Sequence, residues 1–370
     1  MKPDGCGRKV AVALSGGVDS AAAACILKDR GFEVLALTMR TPTLDESESG
    51  AVAVARAVAE AIGIEHEILD IEKQFERLVI EPFLETYING ETPNPCVVCN
   101  RDVKFGLMLD EASKRGCDLM ATGHYARIDG GGKTPYEVFC AADRDKDQTY
   151  VLWTLDQTTL SRVLFPLGRL TKAEAAAIAR DAGVRDTTPE SQDICFLAGD
   201  SYSSLVTARA PDAIRPGPIV DVEGDVVGTH RGVAFYTVGQ RRGLGVGGPS
   251  AMYVLEINPA ENTLVVGDRR SLSTEEFQVA ALNFISGAPP ADRFECFVKT
   301  RYKGPSLPAL VEEMEDDLLS VRYREPGPPA APGQSAVFYL DDELLGGGVI
   351  VRKSSEVIQS SIGYDVTKRI

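Results

Sequence analysis

Near the start of the chain an apolar run, a glycine-containing hexamer and an alanine-rich run follow one another without a break. Residues 9–14 read as a buried strand, Ser15-Gly16-Gly17-Val18-Asp19-Ser20 as a loop, and residues 21–30 as a helix closed by Gly31. Two glycines let the backbone turn tightly and bring its N–H groups close to a ligand. The helix adds its positive N-terminal end, and Ser15 and Ser20 add hydroxyl donors. Such a loop suits a phosphate, and Asp19 is placed to hold a magnesium ion that bridges phosphates. It is not a Walker loop, because the lysine of that pattern is missing. The plainer reading is a glycine-rich turn that binds nothing.

The first half continues the alternation. Residues 34–39 read as a second strand, 51–62 as a helix ended by Gly63, and 65–71 as a third strand. A helix at about 103–114 precedes a strand at 119–122, and Thr171 with Glu174 forms a capping box for a helix running to Gly183. Repeated units of this kind imply an α/β fold, a parallel sheet with helices on both faces. After about Ala210 the texture changes. Arg215-Pro216-Gly217-Pro218 is linker-like, and residues 253–257 and 263–266 read as a hairpin. Strand signals at 293–302, 318–323, 335–339 and 348–352 imply a small barrel or sandwich. A chain of 370 residues calls for two or three domains. The expected layout is a catalytic domain at 1–210, a small β-rich central domain at 211–275, a C-terminal β-barrel at 276–352 and a tail at 353–370. The loops at 41–49 and 243–249 are expected to move.

Eight cysteines are scattered along the chain. With no export signal and no run long enough to span a membrane, a cytoplasmic protein with free thiols is expected. One pair stands apart: Thr92-Pro93-Asn94-Pro95-Cys96-Val97-Val98-Cys99-Asn100 holds two thiols behind two prolines. The prolines stiffen the approach, and a thiol at a helix start has a lowered pKa and better nucleophilicity. A lone pair at this spacing is weak grounds for zinc, which takes four ligands, and two cysteines that merely pack is the bland alternative. A further thiol, Cys195, follows in Ser191-Gln192-Asp193-Ile194-Cys195-Phe196. The net charge of −15 speaks against a nucleic-acid partner, but phosphate binding needs only local cations. Arg241-Arg242 forms one positive cluster; Lys299, Arg301 and Lys303, alternating along an expected strand, form another.

The hexamer resembles the signature of the PP-loop ATP pyrophosphatases, which cleave ATP between the α and β phosphates and adenylate a substrate oxygen. The loop alone leaves the substrate open. In order and identity, the motifs together resemble those of the tRNA-specific 2-thiouridylases. They are residues 15–20, the run around Cys96 and Cys99, Thr122-Gly123-His124-Tyr125-Ala126-Arg127, Lys146-Asp147-Gln148, residues 191–196 and 236–245, Lys299-Thr300-Arg301-Tyr302 and Pro332-Gly333-Gln334. The match runs from about residue 9 to 352.

The resemblance implies an N-terminal PP-loop domain of the adenine nucleotide α-hydrolase type, a small β-rich domain and a C-terminal β-barrel that contacts tRNA. It implies an enzyme that uses ATP and magnesium to adenylate the C2 oxygen of wobble uridine 34 in tRNAs for Lys, Glu and Gln, then delivers sulfur to C2. Ala13, Leu14, Ser15, Gly16, Gly17, Val18, Asp19, Ser20, Met39 and Gly123 would form the ATP site. Cys195 would carry a persulfide supplied by a cysteine desulfurase or sulfur relay protein, and Cys99 would attack it or close a transient disulfide. Asn94, Pro95 and Cys96 would contact the target base; His124, Lys146, Asp147, Gln148, Arg301, Tyr302 and Gln334 would contact the tRNA. For His124 a satisfied structural role is the bland alternative.

One departure matters. Some family members carry Asp where this chain has Cys96, and that carboxylate is proposed as an acid–base group. Cys96 cannot take that role on the Asp precedent. With Cys99 and Cys195 it would instead offer three thiolates to a [4Fe–4S] cluster whose open iron binds external sulfide. Both sulfur routes stay open at this level. So do two rival functions, a PP-loop synthetase acting on a small molecule and a non-enzymatic RNA-binding or metal-storing protein.

Overall fold

The computed structural model describes residues 5, 7–42, 50–132, 134–184, 194–197, 201–247 and 251–352. Parts of the two expected mobile loops, residues 191–193 of the Cys195 motif and the tail lie outside the described residues.

The N-terminal half opens with strand β1 (Lys9–Ala13), helix α1 (Val18–Asp29), strand β2 (Glu33–Arg40), helix α2 (Ala51–Ile62) and strand β3 (Glu65–Asp70). Strand β4 (Leu119–Ala121), a hairpin of β5 (Ala126–Gly131) and β6 (Thr134–Cys140), and the short β7 (Val163–Leu164) complete it. Five of these strands form an all-parallel sheet in the order β3-β2-β1-β4-β7. Successive side chains of a strand point to opposite faces, so a sheet covered on both sides needs near-continuous apolar strands. Val10, Val12, Val34 and Ala36 accordingly face α1, α2 and the helix Lys172–Asp181, while Ala11, Leu35 and Leu37 face the opposite layer. The alanine-rich character of α1 has a packing reason. Ala21, Ala22, Ala23 and Ala24 are fully buried beside Ala175 and Ala179, and small side chains let the two helices lie close.

The opposite layer holds two long helical segments. Residues 72–88 were not picked out by the sequence reading, yet Phe75, Val79, Phe83 and Tyr87 recur every fourth position and are all buried. The helix expected from about 103 starts earlier: it begins at Pro95, continues through a π-helical stretch Cys99–Met108 and ends with Leu109–Lys114. Pro95 explains the start, since its fixed φ suits a first helical turn and its missing N–H is one that a helix start leaves unpaired. The capping box at Thr171 and Glu174 is formed as the spacing predicts.

The central segment carries β8 (Gly217–Val220), β9 (Val226–His230), β10 (Tyr253–Asn258) and β11 (Thr263–Gly267) in a sheet of order β10-β11-β8-β9. The expected hairpin is the β10–β11 pair. Strands β12 (Thr274–Phe284), β13 (Arg293–Lys299), β14 (Leu307–Glu313), β15 (Leu319–Gly327), β16 (Ser335–Leu340) and β17 (Glu343–Val351) follow. They pair antiparallel, and the β12–β17 pairing closes them into a six-stranded barrel. Closure removes both sheet edges. The hairpin β5–β6 of the N-terminal half pairs onto β17 through Val138 and Phe139, so the barrel is joined directly to the parallel-sheet half. One expectation is corrected here. β13 ends at Lys299, and Arg301 and Lys303 lie in the following turn, closed by the Gly304 N–H donating to the Arg301 carbonyl at 3.0 Å, rather than alternating along a strand. Gly304 and Pro305 make continuation of the strand unfavourable.

Candidate active site

The loop at residues 15–20 leaves β1 at its C-terminal end, where ligands of open parallel sheets bind. Inside the loop the Ser20 hydroxyl donates to the Gly17 carbonyl at 2.9 Å and accepts from the Ser15 N–H at 3.2 Å. Gly17 is the N-cap of α1 and no side chain caps that end, so the first N–H groups of a twelve-residue helix stay available to an anion. Gly16 sits at φ +83, and a Cβ there would stand 2.9 Å from Val54 of α2, so the turn needs glycine twice over. Gly123, after β4, is tighter: its Cβ would stand 2.8 Å from the Asp19 backbone. Backbone packed this close shapes a cradle that a side chain would fill, which fits phosphate binding. Met39 lies half-buried at the end of β2, and Thr38 beside it donates to the Leu14 carbonyl at 2.7 Å. Because that hydroxyl proton is committed, His66 Nε2, 2.8 Å from Thr38 Oγ1, is the donor to it.

Asp19 has partners that the sequence reading missed. Lys172 donates to both of its carboxylate oxygens at 2.8 Å, and the Tyr125 hydroxyl donates to one at 2.7 Å. Lys172 is in turn fixed through its backbone N–H, which donates to the Asp143 carboxylate at 2.9 Å. No local pattern marked Lys172: it is the first residue after an ordinary helix cap, and only the packing of its helix on α1 brings it to the loop.

The three thiols Cys96, Cys99 and Cys195 come together on one side of the N-terminal half, within reach of one another's charge. Cys96 and Cys195 are exposed, and Cys99 is half-buried. The expected lowering of the thiol pKa is reversed. Burial pushes Cys99 up to about 12, and it raises Cys96 and Cys195 as well. The loss of hydration outweighs the helix start, and Lys104 offsets only part of it at all three thiols. Lys104 stands five residues after Cys99, about one turn of the π-helical stretch, which puts both on one face. It too was missed. Among the described residues no group of three His, Cys, Asp or Glu side chains is gathered closely enough to hold a metal ion.

The expected tRNA contacts divide. Arg301 and Tyr302 are exposed on the turn after β13, and Arg241 and Arg242 are exposed as well. Lys146, Asp147 and Gln148 are half-buried. Asp147 accepts from the Ala141 N–H and the Thr149 hydroxyl and so braces its own loop, while Gln148 accepts from the Tyr125 N–H at 2.9 Å and ties that loop to the segment after β4. His124 lies at 7% exposure between Phe105 and Phe165, its Nδ1 2.7 Å from the Thr122 hydroxyl. Burial drives its pKa well below the usual histidine value, and the ring is neutral. Gln334 does not point away from the protein: its amide donates to the carbonyls of Thr92 and Pro93 at 3.1 and 3.0 Å.

A glycine cradle at the carboxyl end of a parallel sheet, capped by a free helix start and lying in the same domain as a group of thiols, defines an ATP-utilising PP-loop protein. The chain matches the families described as tRNA methyl transferase HUP domain over residues 8–199, tRNA methyl transferase PRC-barrel domain over residues 206–268 and Aminomethyltransferase beta-barrel domain over residues 274–350. A Chloroflexus aurantiacus protein named tRNA-specific 2-thiouridylase MnmA is 43% identical over 354 residues, covering 93% of this chain and 98% of that protein. A Carboxydothermus hydrogenoformans protein of the same name is 41% identical over 360 residues, covering 94% and 98%. The chain belongs to the tRNA-specific 2-thiouridylase family. Among solved structures, the U34-tRNA thiolase NcsA from Methanococcus maripaludis with its [4Fe-4S] cluster is similar at 17% identity and a TM-score of 0.36, over 58% of this chain and 70% of that one. That likeness is too distant to carry an argument. The curated relatives do not support the small-molecule synthetase. Among the described residues no helix is long and apolar enough to cross a membrane.

Proposed function

We propose that this protein is an ATP-dependent tRNA-uridine 2-sulfurtransferase that thiolates wobble uridine 34. The observation that carries the reading is the pairing, in one domain, of a phosphate cradle at residues 15–20 with thiols at Cys99 and Cys195. A carbonyl oxygen is a poor leaving group until it is phosphorylated or adenylated. The uridine C2 oxygen attacks the α phosphate of ATP and pyrophosphate leaves. The backbone N–H groups at the start of α1 and the Ser15 hydroxyl hold the triphosphate, and Ser20 braces the loop through the Gly17 carbonyl. Asp19 would hold a magnesium ion beside Lys172, and the two cations would neutralise the departing pyrophosphate. The terminal sulfur of a Cys195 persulfide adds to C2. Cys99 thiolate then attacks the Cys195 sulfur, breaking the S–S bond and leaving the electron pair on the sulfur now held by the uridine. The C=S bond forms as AMP departs, and an external thiol reduces the resulting Cys99–Cys195 disulfide. A cysteine desulfurase or sulfur relay protein is the expected donor.

The persulfide route needs only Cys99 and Cys195, and no step is routed through an iron–sulfur cluster. Asn94, Pro95 and Cys96 are read as the contacts to the target base, and Arg301 and Tyr302 as contacts to the tRNA backbone. The domain layout is read as 1–210, 211–275 and 276–352. Incubation with unmodified tRNA, ATP, magnesium and a persulfide donor, followed by mass spectrometry of digested nucleosides, tests the reading. ATP-dependent 2-thiouridine is expected. Absence of a thiolated nucleoside with either persulfide or sulfide, in protein that binds ATP, would refute it.

A further inference from the structure

The run that carries Cys96 and Cys99 is short of hydrogen-bond donors, because Pro93 and Pro95 have no N–H. Its carbonyls must find donors elsewhere, and the C-terminal barrel supplies them. The Gln334 amide donates to the Thr92 and Pro93 carbonyls at 3.1 and 3.0 Å, and the Thr92 N–H donates back to the Pro332 carbonyl at 2.8 Å. Between them Gly333, at φ +87, lets the two backbones meet: a Cβ there would lie 2.9 Å from the Thr92 carbonyl oxygen. The turn is itself anchored to β17, with the Gly333 N–H donating to the Ile350 carbonyl at 2.9 Å and the Ile350 N–H to the Gln334 carbonyl at 2.8 Å. Tyr150 completes the junction. Its hydroxyl donates to the Ser335 carbonyl at 2.9 Å and bonds the Asn94 side chain, and its ring lies 6.2 Å from that of Tyr302.

We infer that Gln334 is a positioning residue: through the turn at residues 332–334, the C-terminal barrel holds the segment at residues 92–94 and so sets where Cys96 and Cys99 stand. The barrel is then part of the catalytic geometry as well as a docking surface. The consequence for catalysis rests on the thiolation reading above; the clamp itself does not.

The test uses the full chain with Gln334→Ala and the isosteric Gln334→Glu, which replaces the donating amide by a group that only accepts. The first readout is the alkylation rate of Cys99 by iodoacetamide without RNA or ATP, followed by peptide mass spectrometry. Buried Cys296 inside the barrel serves as the fold monitor. Released from the clamp, the loop hydrates Cys99, and alkylation should quicken about tenfold in both variants while Cys296 stays protected. Turnover at saturating tRNA should fall by a similar factor, with tRNA affinity changing far less. Unchanged Cys99 reactivity and unchanged saturated turnover, together with weaker tRNA binding, would overturn the inference and make Gln334 a tRNA contact alone. Should Cys296 become reactive in Gln334→Ala, the barrel itself has opened and Gln334→Glu decides by the same criteria. A wild-type protein that does not thiolate tRNA would refute the proposed function, and the alkylation result would still decide the clamp.

Discussion

Cys99 is predicted to be a slow thiol in the resting enzyme. Its pKa is raised from 9.0 to about 12, chiefly by burial. A thiol one pH unit more basic holds about ten times less thiolate, so at pH 8 Cys99 carries roughly a thousandfold less than a free thiol. A more basic thiolate is the better nucleophile, however. With a Brønsted coefficient of about 0.4–0.5, the higher basicity returns roughly twentyfold to thirtyfold. The net expectation is alkylation about fortyfold slower than that of an unstructured cysteine peptide, with a rate that still climbs beyond about pH 10. Lys104 works against the rise, so Lys104→Met should slow alkylation further and move the profile upward. The assay is iodoacetamide labelling of the RNA-free protein across pH, quantified for the Cys99 peptide. A plateau near about pH 9, or a rate within roughly threefold of the free peptide, would refute the argument that burial controls this thiol. If the prediction holds, the thiol must be activated when RNA and sulfur donor are bound. Raised pKa values at all three cysteines would then guard a resting enzyme against oxidation.

Other expectations follow from the same geometry. Gly123→Ala drives a Cβ to 2.8 Å from the Asp19 backbone and should cost about 1–3 kcal/mol of stability and weaken ATP binding, read by thermal melting and calorimetry. Lys172→Met removes the cation beside Asp19 and should weaken magnesium–ATP binding about tenfold; unchanged affinity would place Lys172 outside the phosphate site. His66, His124 and His230 all have pKa values lowered by burial, so the unfolded chain takes up protons that the folded one refuses. The stability they allow is complete above the unfolded value of about 6.5 and is lost as pH falls below it. Melting temperature should therefore drop between about pH 7.5 and 5.5, and His124→Gln should flatten that slope. Arg301→Glu should weaken tRNA binding and reduce its salt dependence; identical salt slopes would remove the exposed turn after β13 from the interface.

Much of the architecture was legible because it is written locally. The apolar run before residues 15–20, the alanines of α1, the capping box at Thr171 and the hairpin around residues 258–262 each announce themselves within a few positions. The β5–β6 hairpin was missed since its strands, rich in glycine at residues 130–132, show no clean alternation until they pair with the barrel. The strand expected through Tyr302 stopped at Lys299, because Gly304 and Pro305 turn the chain away before it can pair further.

The alternation of the parallel-sheet elements, the strand–loop–helix at residues 15–20 and the closely spaced Cys96 and Cys99 were legible in the sequence itself, because backbone conformation, periodicity and residue chemistry act over short stretches. Only the tertiary structure decided that Lys172 holds Asp19, that His124 is a buried neutral ring, that Gln334 feeds donors to a proline-rich loop and that the thiols are raised rather than lowered. Those outcomes depend on which distant segments meet and on how much water their meeting expels, and desolvation belongs to the packed chain rather than to any stretch of it.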